Sequence, residues 1–197
     1  MHMSQLRTAM RILEENGHFT SAAALLLAAV SKVPLAMIER AVVLSKRRNW
    51  LHFPWYPKSR GGAFVLGEKV YVSDHFVQPN EDPSLRFLLL LAHEVGHLPH
   101  ADQWGISPWG RAKFVLWATG HYARSSLLNG RHGHRKARIE QEAERGRWVL
   151  SELIRINRPS LEELLRTKDG MAAWLSQQRS MLKELHAKYP GWTLTGA

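Results

Sequence analysis

The sequence predicts an α+β fold that is mostly α-helical. Apolar residues recur at helical spacing in most segments of the 197-residue chain. Two short runs rich in β-branched and aromatic residues, 64–66 and 70–72, flank Gly67-Glu68-Lys69, which indicates a β-hairpin. An apolar helical run at 83–97 follows the hairpin. We therefore expect a small antiparallel sheet or hairpin that precedes a central helix, with further helices at both ends of the chain.

The N-terminal residues 1–60 are predicted to form a helical region that packs on the core. Short helical patterns cover 4–15 and 20–33, and Pro34 fits the start of a third helix that runs to about Arg48.

Residues 61–157 are predicted to form the core of the protein, and 158–197 a C-terminal helical extension. Within the extension, Ser160-Leu161-Glu162-Glu163 has the pattern of a capping box, and 171–189 is predicted to form one final amphipathic helix.

The composition limits the chemistry of the chain. It has no cysteine, which excludes a disulfide framework and a thiolate metal site, so any zinc site must use histidine and carboxylate ligands. No apolar run approaches the ~20 residues that span a bilayer, and no stretch has the pattern of a signal peptide. The net charge of +10 and the pI of about 10.3 favour a solvated basic surface or an acidic substrate over a nucleic-acid partner, because the basic residues are spread along the chain and no recognised nucleic-acid motif accompanies them. We expect a protein that is cytoplasmic in the producing cell, with secretion as an effector by a non-classical route as the alternative.

The most informative motif is His93-Glu94-Val95-Gly96-His97, an H-E-x-x-H pattern at the end of the apolar run. Four residues turn a helix by about 400°, so His93 and His97 share a face and can hold one zinc ion. Glu94 then lies beside the metal, where its carboxylate can take a proton from a bound water. The alternative is a pair of helix-surface histidines in a His-rich protein.

The ends of this helix are also predicted. Asp82 is a plausible N-cap, and Pro83 fits the first helical position. Pro99 is expected to end the helix just past His97, which would leave His100 off the helix and off the metal-binding face.

A third ligand is expected on a helix at 137–157, because a catalytic zinc ion usually has three protein ligands. Glu140 is the best candidate, and Glu144 shares its face, where it can accept the free N–H of a zinc-bound histidine. Glu142 is rotated about 200° from Glu140 and is expected to face solvent. The alternative is a charged helix whose acids pair with bases, as Glu140–Lys136 or Glu144–Arg147.

The residues between His97 and Glu140 offer other histidines. In a metzincin the third histidine would lie six residues after His97. That position is Gln103, so a metzincin-type site is excluded. His121 shares a face with Trp117 on a helical pattern at 108–128, and is expected to be a core or cleft histidine more often than a ligand. His132 and His134 lie in a basic, glycine-broken segment that is either a solvated loop or the edge of a cleft. The candidates for an oxyanion stabiliser are His121, Tyr122 and His134, and the sequence favours none of them over the others.

The H-E-x-x-H motif followed by a helix with Glu140 and Glu144 resembles the gluzincin group of zinc metallopeptidases. The stretch 140–144, E-Q-E-A-E, is similar to E-x-E-A-N/D in ImmA/IrrE-like metallopeptidases, and the pattern also resembles metallopeptidase domains of bacterial toxins and effectors. The resemblance covers about residues 63–154. Two departures are the Glu at position 144, where Asp or Asn is usual, and the long gap before Glu140.

This resemblance implies a zincin-like fold, in which the edge strand of a small sheet pairs with an extended peptide substrate. It also implies a zinc-dependent metallopeptidase with one zinc ion per chain, bound by His93, His97 and Glu140, and with Glu94 as the catalytic residue. The alternative is a zincin-like regulator that binds DNA or a repressor and has a structural or sensory metal site. Duplex binding by such a regulator is expected to depend on Arg131, Arg135 and Lys136. The oligomeric state stays open.

Overall fold

The computed structural model describes residues 12–46, 63–73 and 83–191. Its fold is α+β and mostly α, as predicted. The helices in these ranges are α1 (Ser21–Ser31), α2 (Leu35–Arg40), α3 (Pro83–Glu94), α4 (Leu98–Asp102), α5 (Pro108–Asn129), α6 (Gly133–Lys136), α7 (Arg138–Asn157), α8 (Leu161–Leu164), α9 (Lys168–Gln177) and α10 (Arg179–Lys188). The strands are β1 (Val42–Lys46), β2 (Ala63–Leu66) and β3 (Lys69–Ser73), and 3-10 turns cover Val95–His97 and Gly130–His132.

Helix α1 matches the prediction for 20–33 and lies at the centre of the fold. The Thr20 side chain caps it by accepting from the Ala23 N–H, and Lys32 ends it in the left-handed conformation at φ 54°. Leu26, Leu27 and Val30 are fully buried. A helix that is apolar on nearly every side is stable only when other elements surround it.

The predicted third helix up to Arg48 is wrong. Helix α2 ends at Arg40, and Val42–Lys46 forms β1, which pairs in parallel with β3 so that Val43 lies opposite Val70. Valine-rich residues suit a pleated surface, and pairing with β3 satisfies their backbone polar groups. Most of the predicted helix at 4–15 lies outside the described residues, and within them Leu13 pairs with Phe19 in an antiparallel bridge.

The predicted hairpin is confirmed. Strands β2 and β3 are antiparallel, and Gly67 takes a φ of +64° in the turn between them, where glycine carries no steric penalty. Since β1 joins β3 from the other side, the sheet has the order β1-β3-β2 and is mixed, where the sequence predicted antiparallel pairing alone. Strand β2 therefore lies at an edge of this sheet.

The C-terminal extension differs from the prediction in one respect. The N-cap hydrogen bond of the predicted capping box is confirmed, since the Ser160 hydroxyl accepts from the Glu163 N–H at 3.4 Å. The single helix expected at 171–189 is instead two helices, α9 and α10, which are separated at Gln178.

One hydrophobic core joins the N-terminal, central and C-terminal parts of the chain. Helices α1, α3 and α7 form its centre, and Leu26, Leu91 and Leu150 are fully buried there. Met171 of α9 is also fully buried, so the C-terminal extension contributes to the same core. No helix in the described ranges is both long and apolar enough to cross a membrane.

Candidate metal centre

The H-E-x-x-H motif spans the end of α3 and the turn that follows it. The helix begins at Pro83, as predicted, whereas Asp82 lies outside the described residues. The last turn tightens to 3-10 geometry over Val95–His97. Both imidazole rings remain on one side of the chain, 5.1 Å apart between centroids.

Two expectations about the end of this helix are wrong. Pro99 does not end the helical segment. It lies in the first turn of a new helix, α4, where the missing N–H is not needed. His100 is consequently on a helix, and its Nε2 lies 2.9 Å from Oε2 of Glu142. Glu142, which was expected to face solvent, is partly exposed. Its carboxylate also accepts from Arg138 Nε at 2.7 Å and is therefore paired with two basic side chains.

A close backbone contact brings α7 against the motif. A Cβ on Gly96 would lie 2.5 Å from the Ala143 Cα, and a Cβ on Gly146 would lie 2.5 Å from the Ala92 carbonyl oxygen. Real Cβ atoms do not approach this closely, so only glycine fits at either position. The crossing puts Glu140 and Glu144, on either side of Ala143, next to the two histidines.

His93, His97 and Glu140 converge at this crossing. His93 Nε2 lies 3.4 Å from Glu140 Oε2, and His97 Nε2 lies 3.6 Å from Glu140 Oε1. One donor atom from each residue lies within 4.8 Å of the other two. The group, which is largely buried, could therefore hold a metal ion through two imidazole nitrogens and one carboxylate oxygen.

Glu144 makes both of the contacts that the sequence offered as alternatives. Its Oε2 lies 3.1 Å from His93 Nδ1, and its Oε1 lies 2.6 Å from Arg147 Nη2. The Glu144 contact occupies Nδ1 of His93 and leaves Nε2 directed at the other two members of the group. This is the arrangement that commonly orients a metal-binding histidine.

The pKa values of the three residues follow from burial and from one another. Burial lowers the pKa of His93, but its hydrogen bonds with Glu140 and Glu144 outweigh this and raise it to about 10. Burial lowers the pKa of His97 to about 4. Burial raises the pKa of Glu140, but the hydrogen bond with His93 and the nearby His97 outweigh this and lower the pKa to about 2. A metal ion would compete with the proton on His93, because ligation needs a neutral imidazole.

Glu94 differs from the other acids of the site. Its residue surface is 4% exposed, and its Oε2 has no hydrogen-bond partner among the described residues. Burial raises the pKa of this carboxyl to about 7, although the nearby His93 lowers it in part. A carboxyl group with a pKa near neutrality can both take up and release a proton at physiological pH.

The three candidates for an oxyanion stabiliser have different positions. The Tyr122 hydroxyl donates to Oε1 of Glu140, the oxygen nearest to His97. His134 stacks on Tyr122 with ring centroids 4.9 Å apart, and its Nδ1 lies 3.8 Å from Glu140 Oε2. His121 packs against Trp117 at 4.4 Å, as their shared face predicted, and is outside the candidate metal-binding group of His93, His97 and Glu140.

The basic segment at 130–136 is not the loop that its glycines suggested. It forms a 3-10 turn and the short helix α6, which folds back along the end of α5. A Cβ on Gly133 would overlap Ser126, so glycine permits this return. The fold places His134 beside Tyr122, and neither this contact nor the Tyr122–Glu140 hydrogen bond had a local signature in the sequence.

No family model, curated protein or solved structure matches this chain. The geometry of the site and the motif itself are therefore the basis for inferring a function.

Proposed function

We propose that this protein is a zinc-dependent metallopeptidase. The observation that carries the proposal is the convergence of His93, His97 and Glu140 beside the buried carboxyl group of Glu94. Two imidazoles and one carboxylate form a known donor set for catalytic zinc, and three protein ligands leave a fourth position for water or substrate. The absence of cysteine removes the thiolate alternative.

The proposed mechanism assigns proton transfer to Glu94. Zinc, when bound, would act as a Lewis acid and would lower the pKa of a coordinated water molecule. Glu94 takes a proton as the peptide carbonyl is attacked and delivers it to the departing amine nitrogen, for which a pKa of about 7 is well placed. Glu144 holds the His93 ring through Nδ1 and thereby keeps Nε2 available.

The oxyanion of the attacked carbonyl requires a donor, and the contacts favour Tyr122 or His134 over His121. Tyr122 and His134 both reach Glu140, whereas His121 packs against Trp117. The substrate is a protein or peptide, whose extended backbone could pair with the edge strand β2. A bacterial effector or toxin setting is proposed from the resemblance of the motifs.

The first experiment is the metal content of the purified protein by elemental mass spectrometry. We expect about one zinc ion per chain in the wild type. His97→Ala should lose the metal, and the matched control His121→Ala should retain it. Absence of zinc from the wild type, even after reconstitution, would remove the basis of the proposal.

The second experiment separates chemistry from metal binding. Glu94→Gln should keep the zinc ion but lower hydrolysis of unfolded casein by at least about 10²-fold, because the amide cannot accept the proton. Wild-type turnover by a zinc-loaded Glu94→Gln variant would contradict the mechanism.

A second candidate function is a regulator that binds DNA or a repressor and has a structural or sensory metal. The contact of His134 with Glu140 favours it, since it places the basic helix α6 at the metal-binding group. Salt-sensitive binding to duplex DNA, lost when Arg131, Arg135 and Lys136 are replaced together by Gln, would support this function. No duplex binding at low salt would exclude the DNA-binding form of it.

A further inference from the structure

Helix α5 presents an apolar face to solvent. Trp109, Leu116 and Leu127 are 68%, 71% and 88% exposed. Their spacings of 7 and 11 residues bring all three within about 20° of one line along the helix. The opposite side of α5 packs inward through Phe114. Exposed apolar residues on ordinary protein surfaces are scattered singly, whereas these side chains form an aligned row along a 22-residue helix.

Gly120 lies in the middle of this row and has no evident internal reason to be glycine. Among the described residues, no atom lies within 4 Å of where its Cβ would be, apart from its chain neighbours and the nearby helix backbone. Gly110 of the same helix is different, because its Cβ would overlap the Trp104 carbonyl. A glycine inside a helix costs about 1 kcal/mol relative to alanine. The small surface at Gly120, next to Ala123, therefore suits close approach by something outside this chain.

The charge around the row restricts what can approach it. Between Gln103 and Ile139 the sequence has no Asp or Glu and seven Lys or Arg residues. Lys113 and Arg124 are exposed on one border of the row. Two copies of this face would bring like charges together. A nucleic acid would meet apolar side chains where it needs cations.

We propose that the exposed face of α5 binds an acidic amphipathic helix of a partner protein. Apolar side chains of the partner would pack between Trp109 and Leu127, with the two helix backbones closest at Gly120. Acidic residues of the partner would lie near Lys113 and Arg124. A lipid surface would gain from a larger apolar side chain at position 120, so the glycine favours a helix over a membrane. This binding does not depend on the metal chemistry.

The test uses a fluorescent synthetic peptide with leucines at helical spacing and glutamates on its flanks. We expect saturable binding to the full chain at low salt, and none by the same peptide with lysine in place of glutamate. Gly120→Leu should weaken binding by at least about tenfold, while Gly120→Ala changes it little. Ala172→Leu adds the same leucine to the exposed surface of α9 and should leave binding unchanged.

Several results would overturn the proposal. Equal or tighter peptide binding by Gly120→Leu would do so, as would no binding by the wild type. Three further results would indicate a different occupant. Tighter binding of Gly120→Leu to anionic phospholipid vesicles would indicate a membrane, and displacement of the peptide by duplex DNA would indicate a nucleic acid. A dimer mass that Gly120→Leu abolishes would indicate a second copy of this chain. A melting temperature of Gly120→Leu at or above that of the wild type shows that the variant is folded.

Discussion

Two helical glycines, Gly96 and Gly120, define two different kinds of surface in this protein. A Cβ at Gly96 would lie 2.5 Å from the Ala143 Cα, whereas a Cβ at Gly120 would meet no described atom within 4 Å. The first glycine lies in a buried crossing where α7 brings Glu140 to the two histidines. The second lies on the exposed face of α5.

The difference shows what accounts for the glycine in each surface. At the buried crossing, packing inside the chain explains the glycine and, through it, the position of the candidate metal-binding residues. On α5 the glycine weakens the helix and gains nothing from the described part of the chain.

Gly96→Ala should have the largest effect on stability. The added methyl group must separate α3 from α7, and overpacking of this kind costs about 3 kcal/mol. We expect a lower free energy of unfolding in denaturant titrations, together with reduced metal content. An unchanged unfolding midpoint would mean that the crossing is looser than the structure indicates.

Glu144→Ala should weaken metal binding by about 10- to 100-fold while the three proposed ligands remain. The reason is that His93 Nδ1 loses its 3.1 Å contact and the ring loses its fixed orientation. Competition with a chelator measures the affinity. Glu142→Ala is the matched control, because Glu142 pairs with His100 and Arg138 and lies outside the metal-binding group. Equal losses in both variants would contradict an orienting role for Glu144.

Gly120→Ala should stabilise the protein by about 1 kcal/mol, the opposite sign to Gly96→Ala. Alanine lowers the entropy lost on helix formation, and its methyl group meets open space. A differential scanning calorimetry trace of the two variants beside the wild type gives both signs directly. Destabilisation by Gly120→Ala would mean that something packs against this position after all.

His186 should produce a smaller, pH-dependent effect away from both surfaces. Its Nε2–H donates to the Ala29 carbonyl at 3.0 Å, which ties α10 to α1. Burial, together with Lys32 and Arg145, lowers the pKa of His186 below 6.5. The unfolded chain then binds more protons below that pH, so stability falls on acidification and is fully present above it.

The measurement for His186 is the unfolding midpoint between pH 5 and pH 8, since the linkage applies near the ordinary histidine pKa of about 6.5. His186→Gln should lose less stability on acidification than the wild type. Identical pH profiles would show that His186 does not contribute.

Local spacing was sufficient to predict several parts of this molecule. The hairpin turn at Gly67, the bounds of α5 and α7, and the common face of Glu140 and Glu144 each depend on residues a few positions apart on one element. The sequence also predicted that Glu144 could accept from a histidine of the motif, but it did not say which one. The motif predicted that His93 and His97 share a face, and the need for a third ligand pointed to Glu140 on a separate helix. Their role as metal ligands remains a prediction.

The remaining features depend on contacts between distant segments. Val42–Lys46 forms a strand because β3 offers it a partner, and although Val42 and Val43 suit a strand, the local sequence does not specify this pairing. Pro99 stays within a helical segment because the 3-10 turn lets a new helix begin there. Tyr122 of α5 and His134 of α6 reach Glu140 only because these two helices lie next to α7.

The sequence by itself therefore determined the types of the candidate ligands, the helical spacing of the two histidines and the mostly helical class, since periodicity and side-chain chemistry are local properties. The tertiary structure decided which residues surround the candidate metal-binding group and which helix face stays exposed. The physical reason is that burial, close backbone approach and the resulting pKa shifts exist only once separate helices have packed together.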